Sequence, residues 1–161
     1  KEKYMVEGNH DDWMNSFVAE HPFMKGYKFK ECVNLKERGY KYYPAGKYLK
    51  LGKLHLYHGH HFAGTHHTRN HLMRLGANIM YGHHHDLQQA SVTHMDGVKS
   101  AWSIGCLKDM KEEQNEWLGG RRINWSHAFA IVDFFAKGNF AVHIVQIVDG
   151  EASLWGELIK G

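Results

Sequence analysis

Three polar clusters, each placed directly after a short run of strand character, constrain the fold of this chain most. Gly8-Asn9-His10-Asp11 follows residues 3–6, His58-Gly59-His60 follows residues 54–57, and Gly82-His83-His84-His85 follows residues 78–81. Binding crevices in open α/β sheets form outside the carboxyl ends of strands, so clusters at three strand ends can face one crevice. Alternate side chains leaving a strand point the same way, so His83 and His85 can grip one site. Each cluster alone has a plain alternative: the first can be a helix N-terminal turn, and the second two surface imidazoles. The histidine count weighs against those alternatives. Fifteen of 161 residues are histidine, and ten of them lie between His55 and His85. Imidazole is the commonest side-chain ligand for transition metals, and interleaving with strand-like and helix-like segments argues against a purification tag.

The rest of the composition sets bounds. A chain of 161 residues fits one domain, and 43% hydrophobic with 23% charged residues is ordinary for a globular protein. Cys32 and Cys106 form neither a disulfide framework nor a CxxC pair, which points to a reduced, cytoplasmic setting. No apolar run reaches transmembrane length, so no membrane partner is expected. The net charge of +3 comes with only short basic patches such as Arg121-Arg122, unlike a dedicated nucleic-acid face.

Pattern places a strand at residues 3–6 and then a turn at residues 7–12. A helix capped by Asp11 or Asp12 follows, carrying Trp13, Phe17 and Val18 on one face and ending near Pro22. Residues 26–46 are open between helix and extended chain. A tight hairpin is expected over 48–57 around Gly52-Lys53, then a helix over 66–75 with Leu72 and Leu75 inward and Gly76 as its cap. Strands are expected at 78–81, 90–94, 98–104, 128–135, 140–148 and 152–155, with residues 108–118 polar and partly helical. Trp117, Trp125 and Trp155 read as packing residues, and His94, His127 and His143 as structural histidines within strands.

The ordered clusters resemble the calcineurin-like metallophosphoesterase superfamily, whose pattern runs DxH, GDxxD, GNH[DE], a strand-end His and GHxH. The last three are here as Gly8-Asn9-His10-Asp11, His58-Gly59 and Gly82-His83-His84-His85. The likeness runs from about Lys3 to Asp86. Beyond it, Ser103-Ile104-Gly105-Cys106-Leu107, Asn124-Trp125 and the closing β-rich stretch look like phage-type members. The resemblance implies an α/β fold of the αββα sandwich type, with residues 1–161 as the C-terminal part of a single domain. It implies two divalent transition-metal ions, drawn from Mn, Fe, Zn or Ni with Mn favoured. Asn9, His58 and His83 would ligate one metal and His85 the other. His10 would be the general acid at the scissile phosphate and Asp11 its orienting carboxylate, with His84 pointing away and His60 a neighbour. No DxH or GDxxD occurs in the sequence, and no Asp precedes Asp11. The expectation is therefore a domain incomplete at its N-terminus and, on its own, inactive.

The implied reaction is hydrolysis of a phosphomonoester or phosphodiester, on a substrate that includes nucleotides or nucleic acid. From another class comes a non-catalytic metal-binding or nucleic-acid-interaction module on the same fold; an upstream DxH and GDxxD would favour the enzyme. His67 and His71, spaced i, i+4, offer a third reading as a zincin, weakened because no Glu follows the first His. Surface or site-rim histidines are the expectation there. Tyr42 and Tyr43, in the segment 22–46, are candidates to cap the site and grip a base.

Overall fold

The computed structural model describes the chain except residues 110, 112–114 and 122, so Arg122 and part of the expected 108–118 segment lie outside the described residues. The fold is mixed α/β. Strand β1 (Lys3–Val6) leads into helix α1 (Asn9–Glu20), a 3-10 turn (Pro22–Tyr27) and the short helix α2 (Phe29–Cys32). The chain then returns as β2 (Tyr40–Tyr43), which pairs parallel with β1, Lys3 opposite Tyr40 and Val6 opposite Tyr43. Parallel pairing needs such a crossover, and the helical segment supplies it. The segment left open by the sequence thus ends as a strand of a sheet.

The second sheet runs β3-β4-β5-β7-β6. Leu49–Leu51 (β3) and Leu54–Leu56 (β4) form the expected hairpin. Helix α3 (His67–Leu75) crosses over to β5 (Asn78–Tyr81), which lies parallel to β4. Gly76 closes α3 in the left-handed conformation, its N–H bonded to the Leu72 carbonyl. β6 (Leu87–His94) and β7 (Gly97–Ile104) complete the sheet as an antiparallel pair, β7 lying parallel to β5. A third sheet holds β8 (Ala128–Phe134), β9 (Phe140–Val148), β10 (Glu151–Leu154) and β11 (Glu157–Lys160) in the order β11-β10-β9-β8.

The two larger sheets meet face to face. Leu54, Met80 and Trp102 are buried against Ala130, Val132, Phe140 and Val142 of β8 and β9. On the opposite face, Tyr57, Leu72, Ile79, Tyr81 and Ala101 form a second cluster under α3. Each fully buried aliphatic side chain stabilises the fold by about 1.5–3 kcal/mol relative to exposure. No helix among the described residues is long and apolar enough to cross a membrane.

Several expectations are corrected. Helix α1 starts at Asn9, inside the expected turn, because Gly8 rather than Asp11 or Asp12 occupies the cap position. Asp11 instead sits in the first turn, where its Oδ2 accepts the Gly8 N–H at 3.0 Å. Of the three apolar residues expected on one buried face, only Val18 is buried; Trp13 and Phe17 are exposed. Trp117 and Trp155 are exposed as well. β6 begins three residues early, at Leu87, and β11 was not foreseen.

Candidate metal centre

Parallel pairing of β4 with β5 sets their carboxyl ends side by side, so the segment after one strand touches the segment after the other. The N–H groups of Gly82 and His83 both donate to the His58 carbonyl, at 3.2 and 2.9 Å. The end of β1 arrives from the other side. A Cβ on Gly8 would stand 3.1 Å from His58 Cε1, so a larger residue there would crowd the imidazole. Gly59 has φ of +109, and a Cβ on it would meet Tyr81 Cδ2 at 2.5 Å. Glycine at that position lets the chain turn tightly over β5 and keeps His58 at the strand end.

Three side chains converge as a result. His58 Nε2 lies 2.8 Å from Asn9 Oδ1 and 2.9 Å from His83 Nδ1. Burial, then the neighbouring imidazoles, pushes His58 down to about 4 and His83 likewise to about 4, so both rings are neutral near pH 7. A neutral Nε2 carries either a proton or a lone pair. A proton on His58 Nε2 can serve Asn9 Oδ1 and a bare His83 Nδ1, so the contacts can close as hydrogen bonds when His83 carries its proton on Nε2; with both nitrogens bare, the same three atoms are free as donors to a cation. One cation on the three donors satisfies both contacts. Ligands about 2.1 Å from a metal, at right angles to one another, lie about 3.0 Å apart, close to these spacings. The donor set therefore fits a divalent transition metal. No group of three His, Cys, Asp or Glu side chains among the described residues is arranged to hold a metal; the third donor here is the Asn9 amide.

His85 sits beside this set in a different environment. Its backbone has φ of +62, its carbonyl accepts the Ser126 N–H at 2.7 Å, and its ring packs on Trp125 with centroids 4.6 Å apart. Nδ1 of His85 is buried with no hydrogen-bond partner. Burial and then the Lys108 charge push its pKa below the ordinary histidine value. His10, next to Asn9 on the first turn of α1, is exposed and packs its ring on Trp13 at 4.4 Å. It is the residue after Asn9, whose amide reaches His58, so it stands at the edge of the same cluster. Asp11 is committed to the Gly8 N–H as part of the helix start.

Two buried carboxyl groups flank the cluster, and the sequence singled out neither. Glu7, 1% exposed, precedes the first motif and accepts hydrogen bonds from Asn15 Nδ2, Tyr42 Oη and, at 2.8 Å, Ala45 N. That bond commits the Tyr42 hydroxyl, tying β2 to the end of β1. Glu7→Ala should destabilise the fold by about 3–5 kcal/mol, since it strands several buried donors, and Glu7→Gln by less. Urea unfolding measures this; a loss under about 1 kcal/mol for Glu7→Ala would contradict the role.

Asp86 follows the third motif and is likewise buried. Burial alone would raise its pKa, but the bonds from His67 and Ser103 outweigh it and hold the group below the usual carboxylate range. His67 and His71, expected at a surface or site rim, are buried at 3% and 0% exposure. His67 binds Asp86, and the His71 Nδ1–H donates to the His67 carbonyl at 2.7 Å. They stand under β5 as core residues because Tyr81 covers both: its ring stacks on His71 at 4.1 Å and its hydroxyl meets His67.

Buried neutral imidazoles give a pH dependence of defined sign. His58, His71 and His83 titrate near 6.5 in the unfolded chain and at about 4 when folded. The unfolded state therefore binds more protons between those values. Stability of the metal-free protein should be full above pH 6.5 and fall as pH drops from there towards 4. Urea midpoints across that range measure it, and a midpoint that does not fall would contradict the burial of these rings.

A cleft of about 1020 Å³ lies elsewhere, lined by Lys50, Lys53, His55, Lys99, Trp102 and Phe140 among others. Its cationic residues are partly committed, Lys53 to Asn139 and Lys99 to Asp96. Site chemistry favours the histidine cluster over this larger space. No known protein family matches this sequence, and no curated protein matches it.

Proposed function

We propose that this chain carries metal-binding residues of a metal-dependent phosphoesterase of the calcineurin-like type, built on its αββα sandwich. The reading rests above all on the convergence of Asn9, His58 and His83 from three strand ends, in the order and spacing of that family's motifs. Asn9, His58 and His83 would hold one divalent metal, and His85, with its buried free Nδ1, would reach a second. Mixed amide and imidazole donors favour Mn, Fe, Zn or Ni over Mg or Ca. A bound metal pair supplies Lewis-acid stabilisation of phosphoryl oxygens and an activated water. The chain's own residues do the rest: the half-buried imidazoles stay unprotonated for binding, and His10 at the edge would serve as the general acid for the departing oxygen.

A metal-binding module without catalysis is the second reading, favoured by one observation: the side chains that converge within 3 Å make a single donor set. Equilibrium dialysis of the chain against Mn and Zn, with hydrolysis of bis(p-nitrophenyl) phosphate and p-nitrophenyl phosphate, tests both. The expected result is one tightly held ion per chain. No bound metal sinks both readings. Bound metal with no phosphate turnover, even after extension with an upstream DxH and GDxxD segment, leaves the module.

A further inference from the structure

We propose that Asp86, locked by His67, is the positioning residue that decides which way the His83-His84-His85 triplet faces; the proposal rests on the metal-site reading above. The triplet needs such a device, because His85 has φ of +62, a region that residues with a Cβ sparsely populate. Its backbone is held from one side by its own N–H to the Gly82 carbonyl at 2.8 Å and by Ser126. On the other side stands Asp86, the next residue, joined to two neighbouring strands and to a helix.

The Asp86 carbonyl accepts from Gly105 N at 2.9 Å and lies 2.9 Å from Ser103 Oγ, whose one proton goes to the nearer carboxylate oxygen. Its carboxylate takes Ser103 Oγ on Oδ1 at 2.7 Å, and Gln88 Nε2 at 2.8 Å and His67 Nε2–H at 3.0 Å on Oδ2. His67 is fixed in turn, with Tyr81 Oη 2.6 Å from Nδ1. Asp86, His67, Tyr81 and Ser103 are all buried, so the bonds face no competition from bulk water. α3, β6 and β7 thus meet on one carboxylate adjoining a proposed ligand, and β5 joins through Tyr81 and His67.

His84 links this network to the metal side. Its ring lies flat on His67, centroids 3.8 Å apart and planes 20° from parallel, and its Nε2–H donates to the Phe62 carbonyl at 3.1 Å. The middle imidazole is thereby drawn into the interior. Its neighbours are left to the opposite side, His83 against His58 and His85 against Trp125. Outer partners of metal ligands act in this way, and losing one typically costs about 10–100-fold in metal affinity.

Two substitutions at one position separate a hydrogen bond from mere packing. His67→Phe keeps a ring under His84 but cannot donate to Asp86. His67→Gln loses the ring but keeps an N–H where Nε2 stands. Zinc affinity, measured by competition titration, should fall about 10–100-fold in His67→Phe and in Asp86→Asn, and stay within about threefold in His67→Gln. The metal-free proteins give an independent reading: ¹⁵N resonances of the His83 and His85 rings should shift and broaden in His67→Phe and Asp86→Asn and stay in place in His67→Gln. Tight zinc binding by His67→Phe with weakened binding by His67→Gln would overturn the proposal in favour of packing. If the unsubstituted chain binds no zinc, the metal-site reading fails and the ring resonances decide alone, unchanged spectra in His67→Phe refuting the positioning role. Should Asp86→Asn fail to fold, the two His67 variants still decide.

Discussion

Replacing His83 or His58 with alanine should remove tight metal binding while leaving the metal-free protein close to its original stability. Each ring is one of three donors within 3 Å of its neighbour, so its loss should exceed the roughly 10–100-fold that an outer partner costs. Stability behaves differently because these rings are only half-buried, are uncharged at neutral pH and crowd one another. The consequence is visible in melting: a metal at 100 times its dissociation constant should stabilise the unsubstituted chain by about 2.7 kcal/mol and leave the variants unmoved. Asn9→Asp should retain binding, since a carboxylate oxygen replaces the amide oxygen, and Asn9→Ala should lose it. His143→Ala is the control, its ring paired with Asp133 at 3.1 Å on β9. Metal affinity that survives both His58→Ala and His83→Ala would show that the convergence of Asn9, His58 and His83 is a hydrogen-bonded cluster and no more.

The strand-end clusters were legible in the sequence because each combines a short apolar run with a break into polar residues. That pattern is local. So too were the hairpin around Gly52-Lys53 and the Gly76 cap, both set by residues within one turn. What failed depended on partners far along the chain. Glu7 reads as an ordinary charged residue beside a strand, and only Tyr42, 35 positions later, and Ala45 make it a buried hub. His67 and His71 have a ligand's spacing and a helix surface's composition, yet β5 lies across them and Asp86 claims the first. Trp13 and Phe17 mislead in the opposite sense: apolar periodicity predicts a covered face, and here the face is exposed. Trp125 packs as expected, and the surface it packs on is the His85 ring. Periodicity says which residues share a face. It does not say what lies opposite that face.

Loss of His10 should divide activity by leaving group instead of by metal content. His10 and Asn9 are successive residues of α1, so their side chains diverge by about 100° around the helix axis. Asn9 turns to His58, whereas His10 is exposed and lies on Trp13, within electrostatic reach of His58 and His85. That position suits a group that meets a leaving oxygen at the mouth of the site. In the Mn-loaded protein extended with an upstream DxH and GDxxD segment, His10→Ala should keep its metal and lose about 10²–10⁴ in kcat on esters with alkoxide leaving groups. A nitrophenol leaves with little need of a proton, so the same variant should lose far less on a nitrophenyl ester. His83→Ala should depress both substrates together, through metal occupancy. Asp11→Ala is informative beside them: Asp11 serves the Gly8 N–H, so its substitution should weaken the start of α1 and lower stability by about 0.5–2 kcal/mol, without the leaving-group signature. Equal losses on both substrates with reduced metal in His10→Ala would make His10 a ligand and end its assignment as the general acid.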